Sequence, residues 1–129
     1  MPPMQKVTDI FAQQKLTFSF ELFPPKTEEG LFKLLNTMPM LCDLKPDFIS
    51  CTYGAGGGSR EKTLDIVEHI QSSYGIAAMA HLTCMAHTKE EIKSILDHSK
   101  RKDLGLMEKG VCRFLCYNED LYLLPWCLD

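Results

Sequence analysis

The chain has 129 residues, 45% hydrophobic and 24% charged, the balance of one soluble globular domain rather than a disordered or fibrous segment. That length allows a real core but is roughly half of the ~250 residues that a closed eight-unit α/β barrel needs. Fourteen Lys and Arg against seventeen Asp and Glu give a net charge of -3, which excludes a basic footprint for nucleic acid and a polybasic membrane patch.

Leu16 to Leu22 alternates apolar and polar side chains, the period-two signature of a strand, and Phe23-Pro24-Pro25 ends it. Leu16, Phe18, Phe20 and Leu22 share one face; Thr17, Ser19 and Glu21 share the other, whose modest size and polarity suit a face turned toward a site. Thr27 offers an N-cap with Glu28 and Glu29 in the first turn, and Leu31, Leu34, Leu35, Met38 and Leu41 follow at helical spacing. Pro39 should kink or end this helix early.

Lys45-Pro46-Asp47 reads as a turn, and Phe48 to Tyr53 as a strand running into the glycine loop Gly54-Ala55-Gly56-Gly57-Gly58. Ser59 can cap a second helix with Thr63, Ile66, Val67 and Ile70 on its apolar stripe, closed at Tyr74-Gly75. Ile76 to Thr83 is a small-residue apolar run that reads as a buried third strand with His81 near its end. Thr88 and Glu91 predict a capping box, continued by Ile92, Ile95 and Leu96. This alternation, at about thirty-residue spacing, predicts consecutive right-handed βαβ units around a parallel sheet. The rhythm breaks from about Met107, where Val111 to Tyr117 is a candidate strand before the apolar Leu121 to Leu128.

Glu21 stands out on physical grounds, at the C-terminal end of a strand on its polar face, where α/β sheets and barrels gather catalytic groups. Flanking Phe20 and Phe23 would desolvate the carboxyl and suit it to general-acid work; the plainer alternative is a strand-end carboxylate that caps a loop or pairs with a Lys. The glycine loop before Ser59-Arg60 could cradle phosphate at a helix N-terminus. It lacks the Gly-Lys-Ser/Thr ending of a P-loop and has Ser59 where the dinucleotide fingerprint wants its third glycine, so a plain flexible connection is the competing reading.

His81, Cys84 and His87 are evenly spaced but do not match a zinc pattern, so no metal is expected; His81 is read as a neutral hydrogen-bonding side chain in a crevice or as a satisfied core histidine. The six cysteines, at 42, 51, 84, 112, 116 and 127, contain no CxxC pair and predict free thiols in a reducing compartment. With no membrane-length apolar stretch and no secretory signal at Met1-Pro2-Pro3-Met4, a cytoplasmic location is expected.

Taken together, Phe18-Ser19-Phe20-Glu21-Leu22-Phe23-Pro24-Pro25-Lys26-Thr27, Leu44-Lys45-Pro46-Asp47-Phe48, Cys51-Thr52-Tyr53-Gly54-Ala55-Gly56-Gly57 and Ala80-His81-Leu82-Thr83-Cys84 closely resemble the opening of methylenetetrahydrofolate reductase. The resemblance covers about residues 14 to 106 and implies an α/β fold, the first three to four βα units of a (β/α)₈ barrel. It implies FAD as cofactor, NADH or NADPH as reductant and 5,10-methylenetetrahydrofolate as the folate substrate, reduced to 5-methyltetrahydrofolate. Position by position, Glu21 matches the family's acid, Thr52, Tyr53 and Ala55 match positions lining the nicotinamide and flavin pocket, and His81 matches a flavin contact. The glycine loop then becomes a close-approach segment beside the flavin ring.

After Leu106 the sequence departs from the family, offering Met107-Glu108-Lys109-Gly110-Val111-Cys112-Arg113-Phe114 where an Arg-Gly-Asp tripeptide is expected. Residues 1–106 are therefore read as the N-terminal part of a reductase-like barrel, and 107–129 as a divergent Cys-rich, apolar tail of a truncated, frameshifted or alternatively ended product. Three or four open parallel strands are expected to be poorly stable and scarcely active alone, or to rely on another copy or a full-length chain. The alternative function is a non-catalytic product whose tail, Leu121 to Leu128 with Trp126, docks on a partner or aggregates. A Rossmann-type half-domain ranks last, because its glycine loop would follow the first strand and here follows the second.

Overall fold

Residues 5–52, 60–83, 88–102 and 104–109 are described in a computed structural model of the chain. Four strands, β1 (Ser19–Leu22), β2 (Phe48–Cys51), β3 (Ala77–Thr83) and β4 (Gly105–Lys109), form one sheet in the order β1-β2-β3-β4. Every neighbouring pair is parallel, so each connection crosses over through a helix. These helices are α2 (Glu28–Asp43), α3 (Arg60–Tyr74) and α4 (Lys89–Arg101), and a short α1 (Val7–Gln13) precedes β1. The described residues thus hold three successive βα units and a fourth strand, as the alternating pattern predicts.

Alternation along the strands separates two faces. Phe20, Leu22, Ile49, Cys51, Ala78 and Ala80 point to one side, where Ile66, Val67 and Ile70 of α3, Met38 of α2 and Leu104 complete the main cluster. The alanines at 78 and 80 carry little bulk, so α3 can approach the strand backbone. Each fully buried Ile or Val there contributes about 1.5–3 kcal/mol relative to exposure. Val7 and Ile10 of α1 pack on the other side against Phe48, Ala77 and Met79, with Phe11 edge-on to Phe48 at 5.5 Å. Phe48 and Ala77 open their strands, so α1 covers the N-terminal half of that second face.

The helix ends follow the local chemistry of the sequence. The Thr27 hydroxyl accepts from the Gly30 N–H at 3.0 Å, and at α4 Thr88 and Glu91 form the reciprocal capping box. Gly75 closes α3 with φ +65°, a conformation that favours glycine. Lys45 adopts a left-handed φ of 54° just after α2, where its N–H donates to the Cys42 carbonyl.

Three elements, α2, β1 and α1, differ from expectation. α2 runs through Pro39 to Asp43: the ring costs one backbone hydrogen bond, but the fully buried Met38 and the core-packed Leu41 hold the flanking turns in place. β1 begins at Ser19, three residues later than the alternation suggests. Before it, Asp47 takes both polar groups of Phe18, its carboxylate accepting from the Phe18 N–H and its own N–H donating to the Phe18 carbonyl, each at 2.7 Å. Leu16, 86% exposed, and Phe18 therefore stay out of the core that Phe20 and Leu22 join. α1 was not expected, although Val7, Ile10 and Phe11 have helical spacing. β4 runs from Gly105 to Lys109, where Asp103 to Leu106 resembles the lead into a fourth barrel strand. The candidate strand Val111 to Tyr117 and the rest of the tail lie outside the described residues.

Candidate functional site

Glu21 is the third residue of β1, and alternation turns it away from the helix-covered face that takes Phe20 and Leu22. It pairs in register with Ser50, which pairs with Met79; His81 lies two residues further along β3, on the same face. The two ionisable side chains meet over β2, with His81 Nε2 3.2 Å from Glu21 Oε1. This is ion-pair distance when the ring is protonated, at an angle short of an aligned hydrogen bond. The imidazole is 3% exposed and the carboxylate side chain 49%, so a buried, strand-held base stands beside an accessible acid.

That exposure corrects the expected surroundings of Glu21. Phe20 packs into the opposite face, and Phe23 is itself 70% exposed, so neither ring encloses the carboxylate. Among the described side chains, the ionisable group that the geometry sets beside Glu21 is His81, at 3.2 Å.

Thr52 stands one residue beyond β2. Its N–H donates to the Leu22 carbonyl at 2.8 Å and its carbonyl accepts from the buried Thr63 hydroxyl of α3 at 2.9 Å, which fixes the start of the glycine loop to both neighbours. The preceding loop is anchored too. Gly30 lets Pro25 fold back onto α2, since a Cβ there would lie 2.8 Å from the Pro25 Cβ. Lys62 of α3 reaches the Pro25 and Lys26 carbonyls at 3.4 and 3.5 Å. Loops leaving the ends of β1 and β2 are thus tied to α3 on the rim where Glu21 and His81 meet.

Cys51 lies beside the site in sequence but on the wrong face for it. Burial pushes its thiol up to about 12, helped by the Glu21 charge and opposed by a Thr63 hydrogen bond, so it is no nucleophile near neutral pH. Burial, aided by the Asp43 charge, also raises the Cys42 thiol; both cysteines are unpaired with other cysteines.

The structure therefore brings together Glu21 and His81, with Thr52 one residue past the neighbouring strand. Tyr53, Ala55, the glycine loop, Ser59, Cys84, His87, Cys112 and Cys116 lie outside the described residues. Two residues were missed by sequence reasoning: Ser50, buried between Glu21 and Met79, and the hydroxyl of Thr63, read only as part of an apolar stripe. The polar alternation of Ser50 and Thr52 next to Glu21's strand was the available signal. Among the described residues no group of three His, Cys, Asp or Glu could hold a metal, and no described helix is long and apolar enough to cross a membrane.

Comparison with known proteins shows the family of the chain. The sequence profile described as methylenetetrahydrofolate reductase matches residues 6–108. The chain is 41% identical over 83 residues to a 5,10-methylenetetrahydrofolate reductase of Salmonella typhimurium, covering 64% of this chain and 28% of that protein. It is 44% identical to the Buchnera aphidicola enzyme of the same name, covering 70% of this chain and 30% of that one. A probable methylenetetrahydrofolate reductase (NADH) of Oryza sativa is 38% identical, covering 74% of this chain and 16% of its own length. The chain thus spans less than a third of the length of these relatives. With most of its length matched by that profile, the chain belongs to the methylenetetrahydrofolate reductase family.

Proposed function

We propose that the chain is the N-terminal part of a flavin-dependent oxidoreductase that reduces 5,10-methylenetetrahydrofolate to 5-methyltetrahydrofolate with NADH or NADPH in the cytoplasm, the name of the rice relative favouring NADH. The observation that carries this reading is the meeting of Glu21 and His81, at 3.2 Å, on the sheet face opposite α2 and α3 and toward the C-terminal ends of the strands. In a (β/α)₈ barrel that face is the interior and that end is where substrates bind. The four described strands would form part of such a wall.

The residues present fit a flavin at this rim. The buried His81 imidazole can hydrogen-bond an edge of the ring system, Thr52 is pinned at the adjacent strand end, and by resemblance Tyr53 and Ala55 would line the same pocket. FAD, when bound, supplies the hydride relay between the nicotinamide and the folate. Glu21 holds the proton. Its accessible carboxyl delivers that proton to the folate so that an electrophilic iminium can form, and its place on an open rim admits a substrate from solvent. A wall of four strands leaves the pocket half-built, so further strands, from this or another chain, would be needed to hold the reacting groups in register and exclude water.

Two measurements test the reading. The purified chain is expected to retain little flavin; a yellow, NADH-reducible protein would show that these strands suffice. In a complete reductase carrying this segment, Glu21→Gln should spare flavin reduction by NADH and cripple folate reduction. Equal loss of both half-reactions would remove Glu21 from the acid role.

A further inference from the structure

We propose that His81 is a positioning residue that holds the Glu21 carboxyl at the strand-end rim, and that the small side chain of Ser50 is what lets the two meet across β2. The first part rests on the reading of Glu21 as the proton donor; the contact itself does not.

Neighbouring strands stand ~4.8 Å apart, so a residue on β1 reaches one on β3 only over the intervening strand. The residue directly beside Glu21 on β2 is Ser50. It is buried, with 6% exposure, and its hydroxymethyl group is short enough to leave a passage above it. Through that passage Glu21 Oε1 comes within 3.2 Å of His81 Nε2. A branched or longer side chain at Ser50 would fill the space.

The choice of an imidazole suits an acid that must cycle between charge states. A neutral ring with its proton on Nε2 can donate to the carboxylate. The other tautomer can accept from the protonated carboxyl, so one partner serves both states of Glu21 by moving its own proton. The ring is fixed by burial in β3, whereas Glu21 is half exposed and would otherwise sample several rotamers. His81 therefore narrows the directions from which the acid can deliver its proton.

Among the described strand residues, Lys109 of β4 also stands on this face, at the register position beside Thr83, two residues beyond His81. The remaining inward positions of β1, of β2 and of β3 as far as His81 are Ser19, Phe48, Ser50, Ala77 and Met79. Cys51 faces the other way with its thiol held protonated, and Lys6 and Asp9 belong to α1, packed at the far end.

The test follows the imidazole signals of the 15N-labelled chain through a pH titration. Relative to wild type, Glu21→Gln should lower the His81 midpoint by about 0.5 unit or more, because the carboxylate is the charge that favours the protonated ring. Ser50→Leu, with Glu21 still present, should lower it similarly, and the smaller Ser50→Val serves if the leucine disturbs the amide spectrum of α3. The midpoints of His69 and His98 should not move. An unchanged His81 midpoint in folded Glu21→Gln would overturn the pairing, and an unchanged midpoint in folded Ser50→Leu and Ser50→Val would overturn the role of Ser50. The outcome is separable from the fate of the proposed reaction: a shifted midpoint alongside undiminished folate reduction by Glu21→Gln would keep the pair and discard the acid reading.

Discussion

The two faces of the sheet solve different problems with the same four strands. The helix-covered face is a continuous apolar contact in which Ile49, Ala78 and Ala80 meet Ile66, Val67 and Ile70, and its demands are volume and dryness. The opposite face is divided along its length: α1 closes its N-terminal half over Phe48, Ala77 and Met79, while the C-terminal half carries Glu21, Ser50 and His81. The first face is lined by apolar side chains, whereas the second sets two ionisable groups and a serine beside one another. This is the division expected where a fold supplies rigidity and one rim supplies chemistry.

The largest effect should come from the first face. Ile70→Ala removes a fully buried side chain from the main cluster and should cost about 2–5 kcal/mol, read as a fall in the urea midpoint, whereas Glu21→Gln on the second face should shift that midpoint little. Comparable losses from the two would erase the distinction.

Gly30→Ala sharpens the comparison at the loop joining β1 to α2. In an ordinary helix position this change stabilises by about 1 kcal/mol, but here the new methyl would sit 2.8 Å from the Pro25 Cβ. The sign should reverse to a loss of about 1–3 kcal/mol, with the Pro24-Pro25 loop displaced. A higher urea midpoint would show that Pro25 yields at no cost.

A third substitution links the two faces. Thr63→Val keeps the shape of a fully buried side chain on α3 but removes the donor to the Thr52 carbonyl, and should cost about 1–3 kcal/mol while quickening amide exchange at Thr52. Slow exchange at that amide in the variant would mean that the Leu22 carbonyl alone secures it.

The smallest effect lies on the outer surface, where Glu68 of α3 meets Lys102 at 3.1 Å and His98 at 3.5 Å. The Lys102 hydrogen bond, chiefly, holds the Glu68 carboxyl below the usual carboxylate range. A depressed folded value means the stabilisation is fully present above the unfolded carboxylate value of about 4.3 and is lost as pH falls through the lower folded one. Glu68→Gln should therefore lower the urea midpoint slightly at pH 6, and the gap to wild type should close below pH 4. A gap that persists at low pH would assign the effect to packing.

Local signals carried most of the fold. Thr27, the Thr88 and Glu91 pair and Gly75 stand at helix ends because each satisfies or relaxes its own backbone, whatever the tertiary context. The errors share a cause in contacts distant along the chain. Pro39 is tolerated because Met38 and Leu41 are docked, Phe18 is kept out of the ladder because Asp47 takes its polar groups, and α1 is stabilised by a sheet face that its short sequence does not announce. At the site, alternation placed Glu21 on the polar face, but its neighbour required the register of three strands.

By itself the sequence determined the order of strands and helices, the caps that bound the helices, the family to which the chain belongs and the face on which Glu21 stands, because each is written in neighbouring residues or in a strand's period of two. Only the tertiary structure decided that His81 is the group beside Glu21, that Ser50 opens the way between them and that the carboxylate remains half exposed. Those relations depend on which strand lies next to which, and by how many residues it is offset, and that is set by the collective packing of the helices across the sheet.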